Sequence, residues 1–304
     1  MEKRKILITG SHRSGTTWLA KIIAASPDVY YVAEPFNISF NHPKNPIKKW
    51  FHYIPLEEES KPVYDYLKDH FDFSVRALMK DLRKVNSPSW ARGVAIREAH
   101  KIFRPYKVMK DPIAIMSADW LYKKFDMKVV VSVRHPAAFV SSLKIKGWKF
   151  DFNQLLSQKE LVDKHLSEFR REMQRHADQE LPIVEQGALL WNIIYSRVRQ
   201  YQNSFEDWFY IRHEDISVQP EVNYNRLLDY VGIPFCDDIR KMIRETTSPE
   251  KNKNTVEQSL RDSIYRNSKE NIKSWKERLS ASESDYVQGY TEPVWRDFYD
   301  KSDW

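Results

Sequence analysis

Residues 5–27 read KILITGSHRSGTTWLAKIIAASP. The first six form a short apolar run ending at Gly10, and a helical pattern follows from Thr16, with Trp18, Leu19, Ile22 and Ile23 on one face. Between them lies a polar turn. Counted from Gly10, its spacing is G-x-x-x-x-G-T-T, one residue away from the nucleotide-binding pattern G-x-x-x-x-G-K-[ST], with Thr16 where that pattern has lysine. A strand that feeds a helix through glycines presents free N–H groups and a positive dipole end, which is an anion site. Gly15 lets the backbone come close to an oxyanion. The N–H groups of Ser14, Gly15, Thr16 and Thr17, with the two threonine hydroxyls, are the expected donors, and Arg13 the expected cation. An ordinary capped turn would need none of this; here a strand, two glycines, an arginine and paired threonines coincide. The absent lysine weakens a Mg-NTP reading, because NTP enzymes use it on the β- and γ-phosphates.

Other β-rich runs follow at 29–33 (VYYVA), 107–109 (KVM), 128–133 (KVVVSV) and 208–212 (WFYIR). The strongest are continuously apolar, as strands buried on both faces are. Helical patterns separate them, one carrying Val184, Ala188, Trp191, Tyr195 and Val198 at helical spacing. Alternating strands and helices predict an α/β fold with a central parallel sheet flanked by helices, and ligands at the carboxyl ends of its strands. A single domain over 1–304 is expected, with insertions at about 37–75 and 144–180, the second read as a polar helix with flanking loop.

A second anion site is expected after the run 128–133. Arg134 stands at its carboxyl end, Pro136 suits a first helical turn, and Ser142, eight residues beyond Arg134, returns to the arginine's side of the helix. An arginine and a hydroxyl suit a phosphate, although an arginine here also serves in structural ion pairs. Together the two sites imply a ligand with two separated phosphates.

Composition narrows the classes. Lys+Arg number 49 and Asp+Glu 42, a formal net charge of +7 spread along 304 residues. That suits an anionic ligand better than a nucleic-acid groove. A single cysteine, Cys236, excludes an internal disulfide and a cysteine metal cluster. The nine histidines are scattered and no spacing suggests a metal site. No apolar run reaches the ~20 residues of a membrane span. The start MEKRK runs directly into a strand, so no signal peptide is read, and a cytoplasmic protein is expected.

These motifs resemble the sulfotransferase superfamily, which uses 3′-phosphoadenosine 5′-phosphosulfate (PAPS). RSGTTWL, Arg13 to Leu19 and so including Trp18, looks like its 5′-phosphosulfate loop, and SVRHPAAFVSS its 3′-phosphate motif, with Arg134 and Ser142 at matching positions. YIRHEDI (210–216) is similar to the family's Arg-Tyr-Glu-Asp-Leu strand end, and SWKERLS (274–280) to its Trp-Lys stretch. The resemblance implies a P-loop-like fold, no metal, release of PAP, and sulfuryl transfer to an acceptor hydroxyl or amine, the main reading being a hydroxyl on a glycan or another hydroxylated small molecule. A small-molecule kinase and a non-catalytic nucleotide-binding module are the alternatives.

The chain departs from cytosolic members. Their Lys-Thr-His stretch is KVMKDP here, which keeps Lys110 and lacks the histidine base. Their glycine-rich stretch over the 3′-phosphate has its nearest equivalent in YRNSKENIKSW, where Arg266, Ser268 and Lys269 are the expected ligands. Carbohydrate sulfotransferases carry a Glu-Pro like that of VYYVAEPFN, which makes Glu34 the expected base, with a structural partner of Arg13 or Lys110 as its other reading and Asp111 as the second choice of base. Arg13 and Lys110 are expected to neutralise charge on the transferring group. His12 could touch the sulfuryl group or be a surface residue. The aromatic residues Trp50, Phe51, His52, Tyr53 and Trp148 would either stack on a sugar ring or pack a loop onto the body.

Overall fold

A computed structural model of the chain describes residues 4–40, 45–83, 87–247 and 272–304. Five strands form one sheet: β1 (Arg4–Gly10), β2 (Val29–Ala33), β3 (Tyr106–Lys110), β4 (Met127–Val133) and β5 (Phe209–Arg212). Their order is β2-β3-β1-β4-β5, and every pairing is parallel. This is the predicted α/β architecture, and each expected strand is present with its ends moved by at most one residue.

The strands are apolar because both faces are covered. Leu7, Met109, Val129 and Val131 point into one core. Ile6, Ile8, Val108 and Val130 point into the other. Side chains alternate between faces along a strand, so a strand covered twice must be apolar at every position. The first core is closed by the helices Pro136–Lys146, Ile183–Ser204 and Ala281–Trp295, and the second by Thr16–Ile23, Pro220–Val231 and Asp237–Thr247.

The 144–180 segment differs from its expectation. It folds as three short helices, Asn153–Leu156, Lys159–His165 and Arg170–Asp178. Phe152, Leu155, Leu161, Leu166 and Met173 are buried along it. Those anchors do not keep one helical period, so the chain turns between them to bury each. The 37–75 segment holds a helix, Lys61–Phe71, after an extended stretch whose Ile47, Phe51 and Ile54 are buried in the first core. Among the described residues, no helix is long and apolar enough to cross a membrane.

β1 lies at the centre of the sheet. The chain leaves it for β2 and β3 on one side, then crosses to β4 and β5 on the other. Such a reversal opens a crevice at the carboxyl ends of the strands. Gly10, Ala33, Lys110, Val133 and Arg212 end the strands there, and the motif residues follow them.

Candidate active site

The loop after β1 is held from three directions. The Ser14 hydroxyl donates to Ser11 O at 2.6 Å, and Ser14 N donates to the same oxygen at 3.2 Å. The Ser132 hydroxyl of β4 donates to Ser14 O at 2.7 Å. Ser14 therefore shapes the turn, and its N–H is bonded within it rather than turned to the crevice as the sequence suggested. Gly15 has φ 84° in the left-handed region, and a Cβ there would stand 2.3 Å from His213 Nδ1. Only glycine fits this position. The first helical bond runs from Leu19 N to Gly15 O at 3.0 Å, and no side chain caps the helix. The N–H groups of Gly15, Thr16, Thr17 and Trp18 precede that bond and point at the crevice end of the helix.

Two arginines meet at this loop. Arg13 has φ 65°. Its Nε donates to Ser142 Oγ at 2.9 Å, and its guanidinium lies 5.7 Å from the Trp148 ring centre. Arg134 donates through Nη1 to the Arg13 carbonyl. Ser142, on the helix Pro136–Lys146, is thus linked to Arg134 through Arg13, whose side chain donates to the serine and whose carbonyl accepts from Arg134. Burial lowers the Arg134 guanidinium to about 10, with Glu214 acting against the shift, so it stays charged at neutral pH. Its Nε is buried without a partner among the described residues. Tyr195 fixes the backbone beneath: its hydroxyl lies 2.9 Å from Ser11 Oγ and accepts from Arg134 N at 3.0 Å. Trp191 Nε1 donates to Arg134 O at 2.9 Å. Neither partner was legible as a site residue, because both carry the spacing of core positions.

Across the crevice stands Glu34, directly after β2. Its φ is 43°, a left-handed conformation that a glutamate adopts only when its surroundings hold it there. Glu34 N donates to Lys110 O at 2.8 Å, and Asn37 N donates to Glu34 O at 3.0 Å. The carboxylate forms an ion pair with Lys110 through Oε1, and Asn37 Nδ2 donates to Oε2 at 2.6 Å. Asp111 has a different duty. It is fully buried, Oδ2 accepting from Phe36 N at 2.6 Å and Oδ1 from Ile113 N at 3.0 Å. Burial raises its carboxyl to about 7 despite those two bonds. It ties the turn after Glu34 to the start of the 3-10 helix Pro112–Ser117.

The Sulfotransferase family model matches residues 5–238. The chain belongs to the sulfotransferase family. No curated protein matches it in sequence. Among solved structures it is similar to the sulfotransferase domain of the Synechococcus PCC 7002 olefin synthase, with 14% identity and a TM-score of 0.52 over 98% of this chain and 96% of that one. It is also similar to mouse sulfotransferase SULT7A1 complexed with PAP, with 12% identity and a TM-score of 0.50 over 98% and 86%. At such identities the likeness is one of fold.

A cleft of about 710 Å³ opens in this sulfotransferase between the anion loop and Glu34. Arg13, Thr16, Thr17, Glu34 and Asn37 line it, together with Trp50, Trp148 and Gln154. Trp50 and Trp148 are thus the members of the aromatic set that face it. Phe51 is in the core, and the Tyr53 hydroxyl is bonded to His165. The His12 ring packs against Phe139 and Phe51, and burial with the Arg13 charge lowers it to about 4, so it is neutral at pH 7. Trp18 faces away into the second core, its Nε1 donating to Thr246 Oγ1 at 3.0 Å. Arg266, Ser268 and Lys269 lie outside the described residues.

Proposed function

We propose that this sulfotransferase moves the sulfuryl group of PAPS to a hydroxyl of a glycan or other hydroxylated small molecule, with Glu34 as the base. The observation that carries this reading is the opposition, across one cleft, of a helix start with Arg13 beside it and a carboxylate held by a lysine and an asparagine.

The residues present fit the donor. The helix N–H groups from Gly15 to Trp18, with the Thr16 and Thr17 hydroxyls, suit its 5′-phosphosulfate. Arg134, whose Nε is buried without a partner among the described residues, and Ser142 suit its 3′-phosphate. When bound, PAPS supplies a sulfuryl group on a phosphate leaving group. Arg13 and Lys110 hold positive charge where negative charge develops. Glu34 has one donor on each oxygen, and each carboxylate oxygen has two lone-pair sites. One site per oxygen is left for the acceptor hydroxyl. Glu34 takes the hydroxyl proton, and Lys110 and Asn37 keep the carboxylate aimed into the cleft. Asp111 is supporting structure in this scheme, since both its oxygens accept backbone N–H bonds out of the acceptor's reach. Trp50 and Trp148 offer faces to an acceptor ring.

The test is transfer of labelled sulfate from PAPS to a panel of mono- and oligosaccharides, phenols and aliphatic alcohols. Transfer to a saccharide, abolished by Glu34→Gln, is the expected result. Transfer to none of these hydroxyls would overturn the acceptor assignment.

A further inference from the structure

We propose that the two helices Val75–Leu82 and Pro88–Phe103 form a docking face for an anionic lipid surface. Both belong to the connection between β2 and β3, whose earlier part supplies Glu34, Asn37 and Trp50 to the cleft.

The pattern of the longer helix is inverted. The side chains it buries against the body are Val94, Glu98 and Lys101, spaced by four and three residues. Two of these three are charged, and they satisfy each other: Lys101 Nζ lies 2.9 Å from Glu98 Oε1. Meanwhile Trp90, Ile96, Ile102 and Phe103 are exposed, Phe103 at 78%. A helix whose only role was to cover the body would turn its apolar residues inward. On the shorter helix Val75, Met79 and Leu82, at the i, i+4, i+7 spacing of one stripe, are exposed too. With Phe73, this region contributes eight of the fourteen large apolar side chains exposed among the described residues. Single exposed apolar residues are ordinary; here Ile96 and Phe103 share with Arg92 the helix side opposite the buried Val94, and the shorter helix packed beside it adds its own exposed stripe, a concentration that marks an interaction surface.

Charge selects the occupant. Residues 73–104 hold eight Lys/Arg and two Asp/Glu, six of the chain's seven net positive charges. Both acids are already paired, Asp81 with Arg97 at 2.5 Å and Glu98 with Arg97 and Lys101 at 2.9 Å. Arg83 and Arg92 are exposed beside the apolar residues. A second copy of this chain meeting face to face would bring two such positive surfaces together, which is repulsive. A bilayer with anionic headgroups accepts the apolar side chains and the cations at once, and an aromatic side chain such as Phe103 suits its interfacial layer.

The test is co-flotation of the full chain with vesicles of phosphatidylcholine alone or with phosphatidylglycerol at one third, at low and at high salt. The expected result is binding to the anionic vesicles, weakened by salt and weak on the neutral ones. Arg83→Glu/Arg92→Glu should lower the partition coefficient by at least ~30-fold, since each basic residue near such a surface contributes about a factor of five. Met79→Ser/Ile96→Ser/Phe103→Ser removes only exposed side chains, so it should fold normally and bind at least ~10-fold more weakly. Equal flotation of wild type and both variants would overturn the proposal. So would no flotation with either lipid, or a dimer in sedimentation that the serine variant dissolves, which would give this face to a second copy.

Discussion

Glu34→Gln keeps the size of the proposed base and removes its ability to take a proton. The structure sets what else it changes. The substituted amide can still offer Lys110 an oxygen where Oε1 of Glu34 now forms the ion pair, but a neutral one. The new amide nitrogen would then face Asn37 Nδ2, which now donates to Oε2 of Glu34 at 2.6 Å. Two donors would meet there. Asn37 cannot simply flip its amide, because Asn37 Oδ1 accepts from Ser39 N at 3.0 Å. The variant thus weakens one charge-assisted bond and loses one further bond, a folding cost of about 1–3 kcal/mol. The chemical loss should be larger. Removing a general base lowers turnover by ~10²–10⁴-fold, or about 2.7–5.4 kcal/mol of barrier. Single-turnover transfer from PAPS, urea unfolding and calorimetric PAP binding would be measured on one preparation. The reasoning predicts slow transfer, mild destabilisation and near-normal PAP affinity. Turnover within ~3-fold of wild type would refute the base assignment. Parallel loss of PAP binding would refute it differently, by making Glu34 a support of the anion loop.

Three further expectations follow from the same geometry. Gly15→Ala places a Cβ 2.3 Å from His213 Nδ1 in a left-handed conformation. It should cost at least ~1–2 kcal/mol in a urea titration and reduce PAP binding in calorimetry, because the helix N–H groups move. Arg134→Ala should weaken PAP by ~2–4 kcal/mol, and a ligand without the 3′-phosphate by ~1 kcal/mol or less. The smaller loss is not zero because Arg134 also holds the Arg13 carbonyl; equal losses in the two titrations would make Arg134 purely structural. His12 stays neutral in the fold down to about pH 4, whereas an unfolded histidine gains its proton near 6.5. The unfolded state then binds more protons between those values, so His12 makes stability fall as pH drops through that window, by up to about 1.4 kcal/mol per pH unit. Urea unfolding of His12→Gln from pH 7 to 4 should show a shallower decline than wild type; parallel curves would mean that the ring is protonated in the fold.

Much of the scaffold was legible before the structure. The five strands stood out because a strand covered on both faces has no polar alternation to hide it, as in Val129 to Val131. The anion loop was legible because glycine spacing is dictated by close approach, here of Gly10 to Ser132 and of Gly15 to His213. Partners contributed from far along the chain were not. Tyr195 clamps Ser11 and the Arg134 backbone from a helix whose periodicity announces only a core. Asn37 had a local signal, three residues after Glu34 in a Pro-containing turn, yet its aim at the carboxylate depends on the φ of Glu34. Asp111 reads from sequence as a strand-end acid and in the fold is a cap, a distinction set by the backbone N–H groups of Phe36 and Ile113. The turns in 144–180 were hidden because buried anchors that follow no single helical period have no pattern to read.

The central claim is that the loop of Arg13 to Trp18 and the Arg134–Ser142 pair together hold a ligand phosphorylated at both the 3′ and 5′ positions. Calorimetric titration with PAP and with ATP, both in EDTA, tests it most directly. The account predicts tight PAP binding without divalent metal and ATP binding at least ~100-fold weaker, since a helix start lacking the P-loop lysine does not serve a triphosphate. ATP binding equal to or tighter than that of PAP, in EDTA or when Mg²⁺ replaces the EDTA, would contradict it.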